Sequence, residues 1–309
     1  MTVGGIFCDL QKTFCCVNHN ILLMKLEFYG ITGITYKLIK SYLGGRHQRV
    51  VLNNHSSSLC SNWGEITHGV PQGSILGPLL FLLYSNDLLQ ITNDNSKSVL
   101  FVDDTSIIVT NPNPTNFENS VNKIFQHINE WFRTNLLSVS LDKTHYMQFV
   151  IKNSSLIDFN IMRGNKKIVN ICNTKFLGLT LDNTLSWKTH IDTIIPKLSS
   201  ASFAMRLVKP FLSQDSLRMV YYSYFHSIMT YGLIFWGNSH YSSIIFRLQK
   251  RIIRIIVGIK GRDSCREYFK KLKILPLQCQ YILSLLLFVK YITSILGLNR
   301  TSINQYPTC

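Results

Sequence analysis

The chain has 309 residues and a formal net charge of +16, from 32 Lys and Arg against 16 Asp and Glu. Its 46% hydrophobic and 12% aromatic content excludes a disordered tail and allows one to three compact units with buried cores. A basic surplus of this size points to polyanion partners, nucleic acid before an anionic membrane surface.

In chain order, the first predicted element is an apolar strand over Val3–Leu10 that already carries Asp9. Asn18 is placed to cap a helix with Ile21, Leu22, Leu23, Leu26 and Phe28 inside, stopped near Gly30. A second helix follows around Tyr36–Leu43. Gln48–Asn53 alternates like a strand, with Ser61–Thr67 as its expected partner. The Gly/Pro loop Gly69-Val70-Pro71-Gln72-Gly73-Ser74 then leads into Leu76–Leu89, apolar almost all round and so expected to be buried.

Next come two short apolar runs, Ser98–Val102 and Ile107–Val109, with Asp103-Asp104 between them at the tip of a hairpin. Two carboxylates at ~4 Å repel by about 4 kcal/mol at an effective dielectric near 20. A fold that keeps such a pair usually offsets the repulsion with cations, an ordinary Asp-Asp turn being the plainer alternative. Asp9 closes a strand in matching context. If the two strands are neighbours in one sheet, their carboxylates converge on one edge and suit a pair of divalent ions about 3.5–4 Å apart. Mg²⁺ fits hard oxygen ligands and substrate phosphates best, with Mn²⁺ as the alternative.

A long helix through Phe125, Ile128, Trp131 and Phe132 follows, and strands near His145–Val150 and Lys175–Leu181 are expected to complete the sheet. From Ile191 onward the pattern is helical and more basic, with Arg247, Lys250, Arg251, Arg254 and Lys260 interleaved among isoleucines. Tyr281–Leu298 is nearly apolar but broken by Lys290 and ended by Gly297. It reads as a packed amphipathic helix rather than a span, with no stable membrane association expected. The 8 cysteines include no C-x-x-C pair and read as buried thiols of a reducing compartment. No signal peptide is legible, so the expected location is nucleus or cytoplasm, not secretion.

Several of these segments resemble one family. Phe7-Cys8-Asp9-Leu10 with Thr13-Phe14 and Val17-Asn18-His19 resembles the first palm motif of non-LTR (LINE-type, Jockey-like) retrotransposon reverse transcriptases. His68-Gly69-Val70-Pro71-Gln72-Gly73-Ser74 resembles their second motif and Phe101-Val102-Asp103-Asp104-Thr105 their third. Asn135 and Leu137 with Asp142-Lys143-Thr144 are similar to the fourth, and Lys175-Phe176-Leu177-Gly178 with Ser186-Trp187 to the primer-grip region. Tyr231-Gly232, Trp236-Gly237 and Leu248-Gln249-Lys250-Arg251 are similar to the C-terminal part of those polymerases.

The resemblance implies an α+β fold: a right-hand palm, an antiparallel sheet backed by helices, over residues 1–185, then a helical thumb over 186–309. It implies RNA-directed DNA polymerisation by two-metal nucleotidyl transfer onto a primer 3′-hydroxyl, with an RNA template, a DNA primer and deoxynucleoside triphosphates as partners. Asp9, Asp103 and Asp104 match the metal-binding carboxylates, and Lys143 the acid that protonates the leaving pyrophosphate. Phe14 matches the aromatic gate against a ribose 2′-hydroxyl, and Gln72 and Gly73 the loop under the templating base pair. Arg46 with Gln48 is a further candidate for template contact, and the basic C-terminal helices are expected to grip the duplex through its phosphates. Two residues depart from the pattern: Cys15 stands where relatives carry Asp, and Val102 where they carry Ala, a change expected to suit a strand end. The chain is expected to lack the fingers that precede the first motif in the family, and so to be a partial copy. The alternative reading is a non-catalytic nucleic-acid-binding remnant, and a weaker one a membrane-surface protein.

Overall fold

The computed structural model describes residues 1–295 apart from 12, 55–56, 92–95, 103, 152–158, 164–165 and 262. In order, the elements are β1 (Thr2–Leu10), α1 (His19–Phe28), α2 (Gly33–Leu43), β2 (His47–Gln48), β3 (Val51–Asn54), β4 (Ser57–Cys60), β5 (Gly64–Glu65), α3 (Leu76–Ser85), β6 (Ser96–Phe101), β7 (Asp104–Asn111), α4 (Pro114–Thr134), β8 (Val139–Phe149), β9 (Met162–Arg163), β10 (Lys166–Lys167) and β11 (Val169–Asn170). There follow β12 (Asn173–Phe176), β13 (Leu179–Asp182), α5 (Lys188–Val208), α6 (Gln214–Val220), α7 (Ser227–Thr230), α8 (Leu233–Trp236), α9 (Ser242–Val257), α10 (Arg266–Lys271) and α11 (Leu277–Ile295). The chain is α+β, and it divides into Met1–Cys172 and Asn173–Cys309.

The first unit is built on a five-stranded sheet ordered β11-β8-β1-β7-β6. All its pairings are antiparallel except the edge pair β11–β8. The central strand β1 is buried from Gly4 to Cys8, as its unbroken apolar run requires. Helix α4 covers the sheet with a stripe of Phe117, Val121, Ile124, Phe125, Ile128 and Phe132. That spacing keeps one face of a 3.6-residue turn, and each large side chain contributes about 1.5–3 kcal/mol by leaving water. Asn113 caps this helix by accepting from the Thr115 N–H at 3.1 Å.

Several expectations are corrected here. Asn18 caps α1 through the Ile21 N–H at 3.0 Å as expected, but only Leu22 and Leu26 are buried and Phe28 is exposed. Helix α3 stops at Ser85, a 3-10 stretch continues to Ile91, and Leu79, Leu82 and Leu89 face solvent. A helix covered on one side, here by α1, buries one face whatever its other face carries. Gln48 does pair with Gly64, but β3 turns back on β4 instead of extending that pairing. Of the described cysteines, Cys8 and Cys265 are buried, while Cys15, Cys60, Cys172 and Cys279 are exposed; all are free thiols.

The second unit has its own core, from Ile191, Leu198 and Met205 of α5 to Trp236 and the isoleucines of α9. Among the described residues β12 and β13 pair with each other and not with the five-stranded sheet, contrary to expectation. They belong to the helical unit because β13 is tied to α5: the Thr180 N–H donates to His190 Nδ1 at 3.3 Å. The division therefore falls after Cys172, ahead of the expected 185. The last expectation to change is α11. It forms, but Leu277 is its one buried residue, and Leu286, Leu287, Phe288 and Val289 are exposed.

Candidate active site

The site begins with the pairing of β1 and β7. Asp9 is the register partner of Asp104, so the two carboxylates leave directly opposed positions on adjacent strands. The hairpin expected around Asp103-Asp104 is present as β6 and β7, with Phe101 paired to Asp104. Asp103 itself lies outside the described residues. Among the described residues no group of three His, Cys, Asp or Glu side chains could hold a metal. The described carboxylates here are two, Asp9 and Asp104.

The turn is held by an unexpected backbone conformation. Val102 is left-handed, with φ 55. A β-branched residue is strained there, so the reading of Val102 as a comfortable strand-end residue is corrected.

On the other flank of β1 the ladder with β8 slips. Phe7 pairs with His145, but Asp9 pairs with Ser140. The slack lies on β8, and Thr144 closes it by donating its hydroxyl to the Ser140 carbonyl at 2.7 Å. Such a bulge re-aims side chains. Here it accompanies an ion pair, Lys143 Nζ to Asp9 Oδ2 at 3.1 Å. Three strands thus bring together Asp9, Asp104 and Lys143. Thr144 stood in the segment similar to the fourth motif, but Ser140 was not singled out in the sequence, which carries no local signal for a bulge. His145 adjoins them, stacked on Phe7 with ring centroids 5.5 Å apart. Burial lowers its pKa, partly opposed by the Lys143 carbonyl.

The expected substrate-binding residues assemble one turn further on. After β1 a 3-10 turn, Thr13–Cys15, carries Phe14, half-buried with its ring tilted 5.5 Å from Phe81. The Gly69–Gly73 loop docks onto this turn through backbone bonds. The Gly69 N–H donates to the Val17 carbonyl at 2.7 Å and the Val70 N–H to the Phe14 carbonyl at 2.8 Å. His19 Nε2 lies 2.8 Å from the Gly69 carbonyl oxygen. Gly69 has φ +86, and a Cβ there would stand 3.0 Å from the Cys15 backbone. Only glycine meets both demands. Gly73, at φ +79, needs glycine for its backbone alone, since nothing lies within 4 Å. Exposed Gln72 donates its amide to Cys15 Sγ at 3.4 Å. Phe14, Gln72 and Gly73 therefore share one locality. Gly69 and Cys15, which tie it together, carry their signal in the motif itself. Arg46 and Gln48 are committed by their backbones to the β2–β5 pairing, Arg46 accepting from the Ile66 N–H at 2.8 Å.

In the second unit, the segments similar to the primer grip and to the C-terminal part form one substructure. Leu177 and Gly178 turn the β12–β13 hairpin with φ 46 and 78, and Tyr231 donates its hydroxyl to the Leu177 carbonyl. The indole of Trp236 returns to the Tyr231 carbonyl at 3.0 Å. Asp182, which sequence reasoning missed, accepts from the Thr184 hydroxyl at 2.6 Å, the Ser186 N–H at 2.9 Å and the Trp187 N–H at 2.7 Å. Burial raises its pKa, but these bonds outweigh it and hold the carboxyl below its ordinary value.

The description "reverse transcriptase (RNA-dependent DNA polymerase)" belongs to the family that matches residues 2–181, more than half of the 309. The probable RNA-directed DNA polymerase from transposon X-element of Drosophila melanogaster is 27% identical over 263 residues, which cover 82% of this chain and 28% of that protein. The RNA-directed DNA polymerase from mobile element jockey of the same organism is 26% identical over 283 residues, 87% of this chain and 30% of that protein. This chain thus spans less than a third of the length of either relative. Among solved structures, telomerase from Candida albicans in complex with a TWJ fragment of telomeric RNA matches at 12% identity with a TM-score of 0.45, covering 89% of this chain and 50% of that one.

Proposed function

We propose that this chain, which belongs to the reverse transcriptase (RNA-dependent DNA polymerase) family, carries the nucleotidyl-transfer centre of a non-LTR retrotransposon polymerase. The observation that carries the reading is the opposed pair Asp9 and Asp104 on β1 and β7, with the Lys143 ammonium on Asp9 at 3.1 Å. Hard oxygen donors on adjacent strands, with a cation already drawn to one of them, suit divalent ions bound to oxygen.

In this reading Asp9, Asp103 and Asp104 hold two Mg²⁺, with Mn²⁺ as the alternative; when bound, the ions supply Lewis-acid polarisation and charge neutralisation. The primer 3′-hydroxyl gives up its proton to solvent and attacks the α-phosphorus of a deoxynucleoside triphosphate. A new P–O bond forms, the bond to the β-phosphate oxygen breaks, and pyrophosphate leaves. Lys143 exchanges Asp9 for the departing pyrophosphate and gives it a proton. Phe14, braced by Phe81, presents its ring against a ribose 2′-hydroxyl. Gln72 and Gly73 place a backbone surface under the templating base pair of an RNA template and DNA primer.

Primer extension on an RNA template with Mg²⁺ and deoxynucleotides, run beside Asp103→Asn, tests the proposal. Extension by the native chain that falls at least ~100-fold in the variant is the expected result. Salt-sensitive template binding without extension in either protein would overturn it and leave a nucleic-acid-binding remnant.

A further inference from the structure

We propose that Thr144 is a positioning residue of the carboxylate site: its hydroxyl holds Lys143 against Asp9 and so sets how readily Asp9 takes a divalent cation. The starting point is the ladder between β1 and β8. Between the pairs Phe7–His145 and Asp9–Ser140, β1 has one residue, Cys8, while β8 has four, 141–144. The excess of three is an odd number, so the side-chain alternation of β8 is reversed beyond it. That reversal sets Val139 opposite Leu10, both of them buried. The length of the loop is therefore fixed by the core, and Lys143 rides on the loop.

Two bonds from side chains to backbone hold the loop. The Thr144 hydroxyl donates to the Ser140 carbonyl at 2.7 Å, joining the two ends, and both residues are buried. A β-branched side chain has few χ1 positions, so the hydroxyl is aimed before the bond forms. His145 Nδ1 lies 2.9 Å from the Lys143 carbonyl oxygen. Since a carbonyl can only accept, the ring N–H donates, and that ring is in turn stacked on Phe7. The backbone of Lys143 is thus held at its own carbonyl and at the next residue, and its ammonium reaches Asp9 Oδ2 at 3.1 Å.

The plain explanation of the Thr144 bond is that it satisfies a buried carbonyl. That accounts for a bond but not for its place. A flexible lysine gives up rotamer freedom to stay on one partner in water, so an exposed pair persists only where the backbone delivers the ammonium within reach. Here the delivering loop is closed by the residue next to Lys143. The acceptor of that bond, Ser140, is the register partner of Asp9. One hydroxyl therefore ties the lysine's loop to the strand position of the carboxylate. Without it the loop widens, the ammonium leaves, and Asp9 meets a metal ion with no rival cation. The inference rests on the carboxylate-site reading for the metal, while the latch itself does not depend on any metal.

The test has a metal-binding arm and a metal-free arm, both on the full chain. Mn²⁺ is titrated under electron spin resonance into the native protein, Thr144→Val, Thr144→Ser, Lys143→Ala and the double variant Thr144→Val with Lys143→Ala. Thr144→Val is expected to bind Mn²⁺ about fivefold more tightly, as Lys143→Ala does, with no further gain in the double variant and native affinity in Thr144→Ser. Unchanged or weaker binding in Thr144→Val, a gain that multiplies with that of Lys143→Ala, or a serine variant that behaves like the valine one would overturn the proposal. In the metal-free arm the lysines are reductively methylated with ¹³C-formaldehyde, and the Lys143 signal is assigned by its loss in Lys143→Arg. Thr144→Val should move that signal to its position in Asp9→Asn, and Thr144→Ser should leave it in place; a signal unmoved by Thr144→Val would again overturn the latch. Thermal melts establish that folding is kept, and Thr144→Ala, which leaves room for water at the Ser140 carbonyl, replaces a valine variant that does not fold. Mn²⁺ binding by none of these proteins would sink the carboxylate-site reading, and the metal-free signal then decides for or against the latch by itself.

Discussion

The ion pair between Lys143 and Asp9 joins a side chain 70% exposed to one 33% exposed. A pair this open contributes no more than about 1 kcal/mol to folding. Its weight lies in what it does to the carboxylates, because the Lys143 charge offsets the repulsion between Asp9 and Asp104 and competes with any other cation for Asp9. Lys143→Ala should therefore cost under about 1 kcal/mol of stability in metal-free buffer, while tightening Mn²⁺ binding about fivefold. A Mn²⁺ titration followed by electron spin resonance reads the second effect, and an unchanged affinity would sink the idea that Lys143 holds the cation's place. The three aspartates were legible in the sequence because their signal is local, a carboxylate at the end of an apolar run. The ion pair was not, since it accompanies a slip between β1 and β8 whose partners lie over 130 residues apart. Val102 was misread for a related reason: φ at a hairpin tip is set by both strands together, not by the residue's own preference.

At the scale of elements, α4 and β1 were readable because a single period, 3.6 or unbroken burial, determines them. The β12–β13 hairpin was readable as strands but not as to its partner. What attaches it to α5 is a pair of buried polar groups, and these make the fold pH-sensitive. Burial first, and the charge of Lys197 second, lower the pKa of His190 below its ordinary 6.5, and its Nδ1 must be unprotonated to accept from Thr180. In the unfolded chain His190 takes up a proton near pH ~6.5. Its contribution is therefore full above that pH and is lost as the pH falls through the lowered folded value. Burial lowers His145 and His226 as well, with the same sign. The denaturation midpoint should fall between about pH 7.5 and about pH 5.5, and by less in His190→Asn. An equal fall in both proteins would show that His190 is not a source of the acid sensitivity.

Over the whole molecule, the charge of +16 is a statement about partners and solubility, and the fold is carried by two separate cores. Helix α11 stands apart from this economy. It is long and apolar enough to cross a membrane by composition, yet its apolar window is 0% buried among the described residues. An exposed patch of this kind binds amphiphilic dyes and promotes association. Leu286→Glu with Phe288→Glu should lower anilinonaphthalene sulfonate fluorescence and concentration-dependent scattering without lowering the melting temperature. A fall in melting temperature would show instead that these residues are packed in the folded protein. The sequence by itself determined the family, the α+β class, the carboxylate motif and the basic character, because each is written in neighbouring residues or in their periodicity. Only the tertiary structure decided that Asp9 faces Asp104, that Lys143 closes on Asp9, that the 173–182 hairpin goes with the helical unit and that α11 leaves residues 286–289 exposed. Those outcomes depend on pairings and burial between distant segments, where register and competing surfaces, not local preference, settle the energy.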